Sequence, residues 1–366
     1  MRRAAVVMLG AALLSCSNQS ASTSSPPPSA APAQAADLRV RLDLLLGEHV
    51  MIVAKESAAA VSHSDEYAAY TSLLATNSGD LSSLIASAFG NTAALQFTLA
   101  WNAQNGYLVD YAIGVVTHDD DKAKAAMFAL TNSFAPRFAG ILNTMSRLPL
   151  DQAGMLIRQQ TEYDKTFIDD FFAGNYTSYY TDLHRAYAQT SRLGDALSTE
   201  IALRFPDKFP GDPFSHAVDL RVSLNNLLQE HSYLLTMATD ATIAGRGVEA
   251  GAATAALHSN MDGLTTVFAA VRVGATSTGF SDLWTARTSA FLGYAKGDLA
   301  TRVALTDTFA SRFASFAHVE QALITAQIGA ELQVIDDQRL KSSKTVANDD
   351  RAAATAMREV ADSVQG

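Results

Sequence analysis

The chain repeats itself, and this internal repeat limits the folds open to it more than any other feature. The run 37–40 (DLRV) recurs at 219–222, and the run 46–49 (LGEH) recurs as LQEH at 228–231, both at a displacement of 182. Later matches follow in the same order: Asn77 with Asn260, Trp101 with Trp284, Tyr111 with Tyr294, Gly114 with Gly297, and Ile168-Asp169-Asp170 with Ile335-Asp336-Asp337. Ordered agreement over this length predicts two diverged copies of one unit.

Within each copy the apolar residues follow a helical period. One seam contains Leu38, Leu42, Leu45, His49 and Ile52, and its counterpart contains Leu220, Leu224, Leu227, His231 and Leu234. Alternating spacings of four and three are typical of one face of an amphipathic helix. Breaks near 62–64, 90–91, 119–121, 149 and 174–175 predict about six helices in copy one. Few runs alternate with period two, so the predicted fold is all-α, with two tandem homologous helical bundles.

The first residues of the chain have the features of an export signal. A cationic start precedes an apolar run over 4–14, which is too short to span a bilayer and typical of a signal peptide. The run ends in Leu-Leu-Ser15-Cys16, which resembles the bacterial lipobox. This resemblance implies removal of residues 1–15 and lipidation of Cys16, which would anchor the protein in the cell envelope. The alternative is an ordinary secretory signal that happens to carry a cysteine.

The resemblance extends to sorting. Ser17 follows the lipidated position, and similarity to the enteric sorting rule implies the outer membrane, on its periplasmic or external face, if the organism is Gram-negative. Residues 16–36 carry no charge and no aromatic side chain, so they are predicted to form a disordered Ser/Pro/Ala tether.

Proline placement sets the remaining boundaries. Pro206, Pro210 and Pro213 lie close together in one stretch, where they fix φ and remove hydrogen-bond donors. We therefore predict a linker at 204–216. The predicted units are helical repeat 1 over 37–203 and helical repeat 2 over 217–366. Each has its own seam and its own Trp, so we expect the two repeats to fold independently.

Charge and cysteine usage exclude several classes of partner and site. The formal net charge is −10, so the surface repels phosphate backbones and nucleic acid is not an expected partner. Cys16 is the only cysteine, which excludes disulfides within the chain and metal sites built on several cysteines.

The seam histidines, His49 and His231, are the candidate metal ligands, with Glu48 and Glu230 beside them. One hypothesis places copper, zinc or haem inside the bundle, because imidazole is a common metal ligand. The alternative is a structural histidine that is satisfied by a hydrogen bond, since a buried imidazole needs a partner. Each neighbouring glutamate points about 100° away around the helix, so it is expected to flank the seam.

The pattern D-L-R-x-x-L-x-x-L-L-x-E-H occurs in both copies, and a later Trp helix in copy one carries V-D-Y. Together these motifs resemble a family of tandem-repeat helical proteins of bacteria that are often labelled copper amine oxidase-like. The resemblance covers 37–203 and 217–366. It implies further histidines three residues after the Trp, in the fifth helix and in the last helix.

This chain departs from the family pattern at those positions. Copy one has Gln104, Gln160 and Gln189 there, and copy two has Arg287, Gln327 and Thr355 or Ala356. Glutamine is a poor ligand for soft or borderline metals, so the resemblance implies that most of any metal site has been lost. An oxidase with a topaquinone cofactor is not expected, because Asn175-Tyr176 is followed by Thr177 and no H-x-H pair occurs.

One aromatic group is a candidate lining for an apolar ligand pocket, but the pattern favours the alternative that it is simply core with tyrosine hydroxyls at the rim. Its members are Phe167, Phe171, Phe172, Tyr176, Tyr179, Tyr180 and Tyr187. No catalytic motif is found, so we predict a non-enzymatic protein that binds a partner or ligand at the envelope. The alternatives are a metal- or haem-binding module with residual histidine ligands and a purely structural spacer.

Overall fold

The structure, a computed structural model, describes residues 35–272 and 277–365. All regular elements in this part of the chain are helical, so the all-α prediction is confirmed there. The predicted signal peptide, Cys16 and nearly all of the tether lie outside the described residues. None of the described helices combines the length and the apolar character that a membrane crossing requires.

The helices fall into two groups of seven, which we call the first half (α1–α7) and the second half (α8–α14). In chain order they are α1 (Ala35–Val61), α2 (Tyr67–Phe89), α3 (Asn91–Val116), α4 (Asp120–Phe128), α5 (Ala135–Ser146), α6 (Leu150–Phe172), α7 (Tyr176–Arg204), α8 (His216–Ile243), α9 (Gly247–Val271), α10 (Ser277–Ala295), α11 (Ala300–Val303), α12 (Ala310–Ala317), α13 (Gln321–Leu340) and α14 (Val346–Gln365). Two π-helical turns, Ala129–Phe134 and Ala304–Phe309, precede α5 and α12.

The first helix of each half lies at the centre of the molecule. Helix α1 packs against α2, α7 and α8, and α8 packs against α9, α14 and α1. Both are buried on most of their circumference, including charged positions such as Glu48 and Glu230. The sequence placed these glutamates beside the seam. They are buried because the last helix of the other half covers them, with Arg351 against Glu48 and His184 against Glu230.

The two halves share one hydrophobic core. A single buried cluster contains Leu42 and Trp101 from the first half together with Leu228 and Trp284 from the second. The described residues before and after the connection between the halves belong to one compact unit. A shared core does not favour the independent folding that the sequence suggested.

The proline-rich connection between α7 and α8 is itself packed. Phe209 is only 3% exposed. The backbone N–H of Ala35 donates to the carbonyl of Pro210 over 3.0 Å, and Arg39 Nη1 donates to the carbonyl of Pro213 over 2.9 Å. The stretch therefore holds the start of α1 in place and is more than a spacer.

Ion pairs link the halves near the beginning of α1 and α8. Arg39 donates to Asp195 of α7 and to Asp219 of α8, both over 2.5 Å. Arg221 donates to Asp37 of α1 over 2.5 Å and to Asp362 of α14 over 3.0 Å. Each arginine thus joins the first helix of the other half to the last helix of its own.

Two local predictions can be compared directly with the structure. Asp119 caps α4, and its side chain accepts from the backbone N–H of Lys122 over 3.0 Å, as expected for an acidic residue at a helix start. Pro136 lies in the first turn of α5, immediately after a π-helical turn, so it does interrupt the regular helix there. The second half forms the same π-helical turn with Ser311 in place of the proline. Proline is therefore not required for it.

Candidate functional site

His231 is held by hydrogen bonds at both ring nitrogens. Its Nδ1 lies 3.0 Å from Oδ1 of Asn260, and its Nε2 lies 3.1 Å from the indole Nε1 of Trp284. An indole N–H only donates, so Nε2 accepts and Nδ1–H donates to the amide oxygen. Burial, with a smaller effect of Arg287, lowers the pKa of His231 to about 3. The ring is therefore neutral, and neither nitrogen is open to a metal.

His49, at the matched position of α1, uses a different partner. Its Nε2 lies 2.8 Å from Oδ1 of Asn105, and its ring packs against Trp101 with centroids 4.7 Å apart. Burial lowers the pKa of His49 to about 4. The residue matched to Asn105 is Thr288, so the second half does not offer this amide. The indole N–H of Trp101 has no hydrogen-bond partner, in contrast to that of Trp284.

The two candidate glutamates hold the halves together. Glu48 accepts from Asn77 Nδ2 over 2.8 Å and from two nitrogens of Arg351 in α14, each over 3.1 Å. Glu230 accepts from Asn260 Nδ2 over 3.0 Å and contacts Nδ1 of His184 in α7 over 2.7 Å. Burial raises the pKa of Glu48, and Arg351 opposes this effect. Each glutamate is thus engaged by the last helix of the opposite half.

No group of three or more His, Cys, Asp or Glu side chains with metal-site geometry occurs among residues 35–272 and 277–365. The four candidate ligands therefore receive no geometric support as a metal centre. The glutamate of each Glu-His pair instead accepts from the asparagine of the next helix, Asn77 for Glu48 and Asn260 for Glu230. His231 shares Asn260 with its glutamate, whereas His49 bonds to Asn105 of α3.

The positions at which the family resemblance implies histidines form a buried polar cluster in the second half. Arg287 is ion-paired with Glu331, both 0% exposed, and also donates to Gln327 Oε1 over 3.3 Å. In the first half, Gln160 donates to Asp164 over 2.8 Å. Gln104, the residue matched to Arg287, is also buried. Burial raises the pKa of Asp164 to about 7. An ion pair thus joins these positions in the second half, and a carboxyl with a raised pKa lies beside them in the first.

The positions in the last helices at which the family resemblance implies a histidine differ in burial. Gln189 is buried in α7. Thr355 is exposed and Ala356 half-buried on α14.

The most distinctive cavity lies where α1 and α8 end and α2, α7 and α9 begin. Its volume is about 440 Å³, which falls in the range of small-molecule sites. Four of the seven candidate aromatic residues line it, namely Phe171, Tyr176, Tyr179 and Tyr180. The others pack elsewhere. Phe167 is core, Phe172 makes an edge-on contact with His118, and the hydroxyl of Tyr187 lies within hydrogen-bond distance of the Asn226 backbone carbonyl and the Gln229 side chain.

Two of the cavity tyrosines are polar groups without protein partners. Tyr179 is 2% exposed and Tyr180 is 4% exposed. Within the described part of the chain, neither hydroxyl forms a hydrogen bond, and burial raises the pKa of both phenols. Buried polar groups are normally satisfied. These two hydroxyls are therefore available to a ligand or to water in the cavity.

The cavity lining also contains charged residues. Lys55 is buried and ion-paired with Asp350, and it donates to Thr236 Oγ1 over 2.8 Å. Arg246 donates to Asp240 over 2.5 Å and to Glu249 over 2.7 Å. Each cation that lines the cavity is thus already engaged by at least one carboxylate.

Glu66 is the lining carboxylate that no described cation pairs with. It is half-buried at the N-cap of α2, and its side chain makes no capping hydrogen bond. Burial and the charge of Asp240 raise its pKa to about 6, although Lys55 and Arg246 act in the opposite direction. A raised carboxyl pKa in a cavity is a common property of functional sites.

Sequence reasoning found the aromatic wall but missed the charged one. The missed residues lie at helix ends that are far apart in the sequence, so no motif connects them. Lys55 was the available signal, because it stands on a helix whose apolar residues cover almost every face. A lysine in such a helix must find an anionic partner.

No protein-family model, curated protein or solved structure matches the chain.

Proposed function

We propose that this chain is an exported, lipid-anchored binding protein without enzymatic activity, and that it binds a small ligand in the cavity at the ends of α1 and α8. The observation that carries the proposal is a cavity lined both by two tyrosines with unpartnered hydroxyls and by Glu66, a carboxylate that forms no ion pair. These groups leave hydrogen-bonding and charge requirements that a ligand would satisfy.

The proposal includes descent of the two halves from one unit, as the repeat in sequence indicates. Its support is that matched residues make matched contacts. Tyr111 donates to Asp169 over 2.5 Å, and the matched Tyr294 donates to Asp336 over 2.6 Å. The paired ion pairs of Arg39 and Arg221 follow the same rule, as do the two π-helical turns. Such contacts are expected of two copies related by an approximate twofold axis.

The cavity lies where this symmetry is broken. Tyr179 and Tyr180 are matched by Val346 and Ala347 in the second half, at the displacement of 167 that pairs Ile168 with Ile335. A pocket between diverged copies acquires a distinct wall from each copy. The divergence supports a binding role for this end of the molecule, because packing alone does not require aromatic residues on one side only.

The competing proposal, a metal- or haem-binding module, has the seam histidines as its ligands. Both histidines already bond to amide side chains, and the family's further histidine positions carry glutamine or an ion-paired arginine. The described contacts therefore favour the structural role of His49 and His231.

Filling the cavity tests the binding proposal. Saturation-transfer NMR on the purified full chain would use three benzyl compounds of different charge as probes: benzyltrimethylammonium, benzyl alcohol and phenylacetate. Ala58→Trp places an indole in the cavity, because Ala58 lines it. We expect at least one probe to bind the wild type and to lose its signal in this variant. Ala103→Trp, at a half-buried position of α3 outside the cavity, is the matched control. Binding that survives Ala58→Trp would contradict the proposal.

The anchor has its own test. Cys16→Ser should abolish fatty-acid labelling and release the chain from membranes, because acylation of Cys16 is the proposed attachment. Unchanged membrane retention of this variant would show that the chain is held in another way.

A further inference from the structure

Two glutamates at matched positions of the two halves line the cavity, but only one of them forms an ion pair. Glu66 at the start of α2 and Glu249 at the start of α9 are separated by 183 residues, the displacement that pairs Asn77 with Asn260. Both line the cavity. Arg246 donates to Glu249, whereas Glu66 has no such donor in the first half.

The charge balance of the lining is negative. Glu66, Asp240 and Glu249 face the cavity, and the cations that face it are Lys55 and Arg246. Lys55 is already paired with a carboxylate behind the wall, so Arg246 alone serves Asp240 and Glu249. An anionic ligand would meet unpaired carboxylate charge here, and a neutral one would leave Glu66 without a partner.

The aromatic wall suits a cation that carries apolar groups. Tyr176, Tyr179, Tyr180 and Phe171 line the same cavity as the carboxylates, and Glu249 is close enough to Tyr179 and Tyr180 to act on their pKa. Faces of aromatic rings attract ammonium groups, most strongly when these are desolvated, and aromatic cages of this kind recognise alkylated ammonium ligands. The hydroxyls of Tyr179 and Tyr180 add hydrogen-bond acceptors for any N–H of the ligand.

We propose that the cavity binds an organic cation, an ammonium group with apolar substituents, with its charge at Glu66 and its apolar part against the tyrosine wall. This inference rests on the proposed binding function and specifies its ligand class. The net charge of −10 would also attract such a ligand to the protein before it binds.

The three benzyl probes separate ligand class from binding as such. By isothermal titration of the full chain at pH 7.5, benzyltrimethylammonium should bind about tenfold or more tightly than benzyl alcohol, because a charge-assisted contact to Glu66 exceeds a neutral one. Phenylacetate should not compete with it. Glu66→Gln keeps the shape of the side chain and should remove about tenfold of the cation's affinity while leaving that of benzyl alcohol unchanged.

One further variant is a control for the loss of charge, and a second tests the tyrosine wall. Glu359→Gln, at an exposed position of α14, removes the same charge away from the cavity and should change no affinity. Tyr176→Leu, on the half-buried edge of the tyrosine wall, should weaken the cation about threefold or more through loss of the ring face. Far-ultraviolet circular dichroism would establish that each variant is folded.

The pH dependence gives an independent reading. The charged groups around Glu66 are Asp240, Lys55, Asp350 and Arg246, and Glu249 also lines the cavity. Cation affinity should fall as the pH is lowered from 7.5 to 5, because Glu66 takes up a proton, and Glu66→Gln should remove most of this fall.

The outcomes are distinguishable. If benzyl alcohol or phenylacetate binds in the cavity as tightly as the cation, or if Glu66→Gln has no effect on the cation, the ligand class is wrong and the binding function stands. If no probe binds, or if binding survives Ala58→Trp, both proposals fail.

Discussion

The two halves of the molecule bury carboxyl groups at matched positions but compensate them differently. In the second half, Glu331 is paired with Arg287 and Glu249 with Arg246. In the first half, the matched residues Asp164 and Glu66 form no ion pair. The second half thus supplies an arginine where the first supplies none.

Burial determines what replaces the missing arginine. Asp164 is 1% exposed, and burial raises its pKa to about 7. Glu66 is half-buried and opens onto a cavity, so a larger cation has access to it. One missing charge is compensated by protonation, and we propose that the other is compensated by a ligand.

Breaking the Arg287–Glu331 pair should have the largest effect on stability. Arg287→Met leaves a buried carboxylate without its cation, which we expect to cost about 3–5 kcal/mol in the free energy of unfolding. Chemical denaturation would measure this. Addition of Glu331→Leu should recover most of the loss. Gln104→Leu, the matched change in the first half, should alter stability by about 1 kcal/mol or less. Equal losses in the two halves would contradict the contrast.

Asp164 should show the opposite response to loss of its charge. Its ordinary pKa is 3.8 and its folded pKa is about 7, so the folded chain retains a proton that the unfolded chain releases. Stability is therefore lost as the pH rises between these values. Above pH 7, Asp164→Asn should stabilise the protein by about 1–3 kcal/mol, whereas Glu331→Gln should destabilise it. Denaturation of both variants between pH 4 and 8 provides the measurement, and a destabilised Asp164→Asn would exclude the protonated carboxyl.

The seam histidines should differ by a smaller amount. His231 has hydrogen bonds at both ring nitrogens, and His49 has one to Asn105. We expect His231→Gln to cost about 2 kcal/mol and His49→Gln about 1 kcal/mol at pH 7. Both folded pKa values lie below the ordinary 6.5, so the wild type should lose stability as the pH falls from 6.5 towards 4. Each variant should flatten that loss. A tightly held metal that both variants release would instead establish the histidines as ligands.

The sequence predicted the all-helical fold because the seam of α1 and its counterpart in α8 have an unambiguous period. It also identified the histidines, the glutamates and the aromatic group. It did not predict that the halves would pack so closely, because Glu48 and Glu230 look like surface residues until Arg351 and His184 are placed beside them. The cavity depends on helix ends from both halves, such as Lys55 and Arg246, and only the fold brings those ends together.

The protonation of Glu66 tests the central claim most directly. Carbon-13 NMR of the full chain would follow its side-chain carboxyl as a function of pH, with Glu66→Gln used to assign the signal. We predict that it titrates near pH 6, because burial and the charge of Asp240 raise its pKa, and that saturating benzyltrimethylammonium lowers this value, because the bound cation favours the ionised form. A carboxyl that titrates near 4.5 and does not respond to the cation would contradict the account.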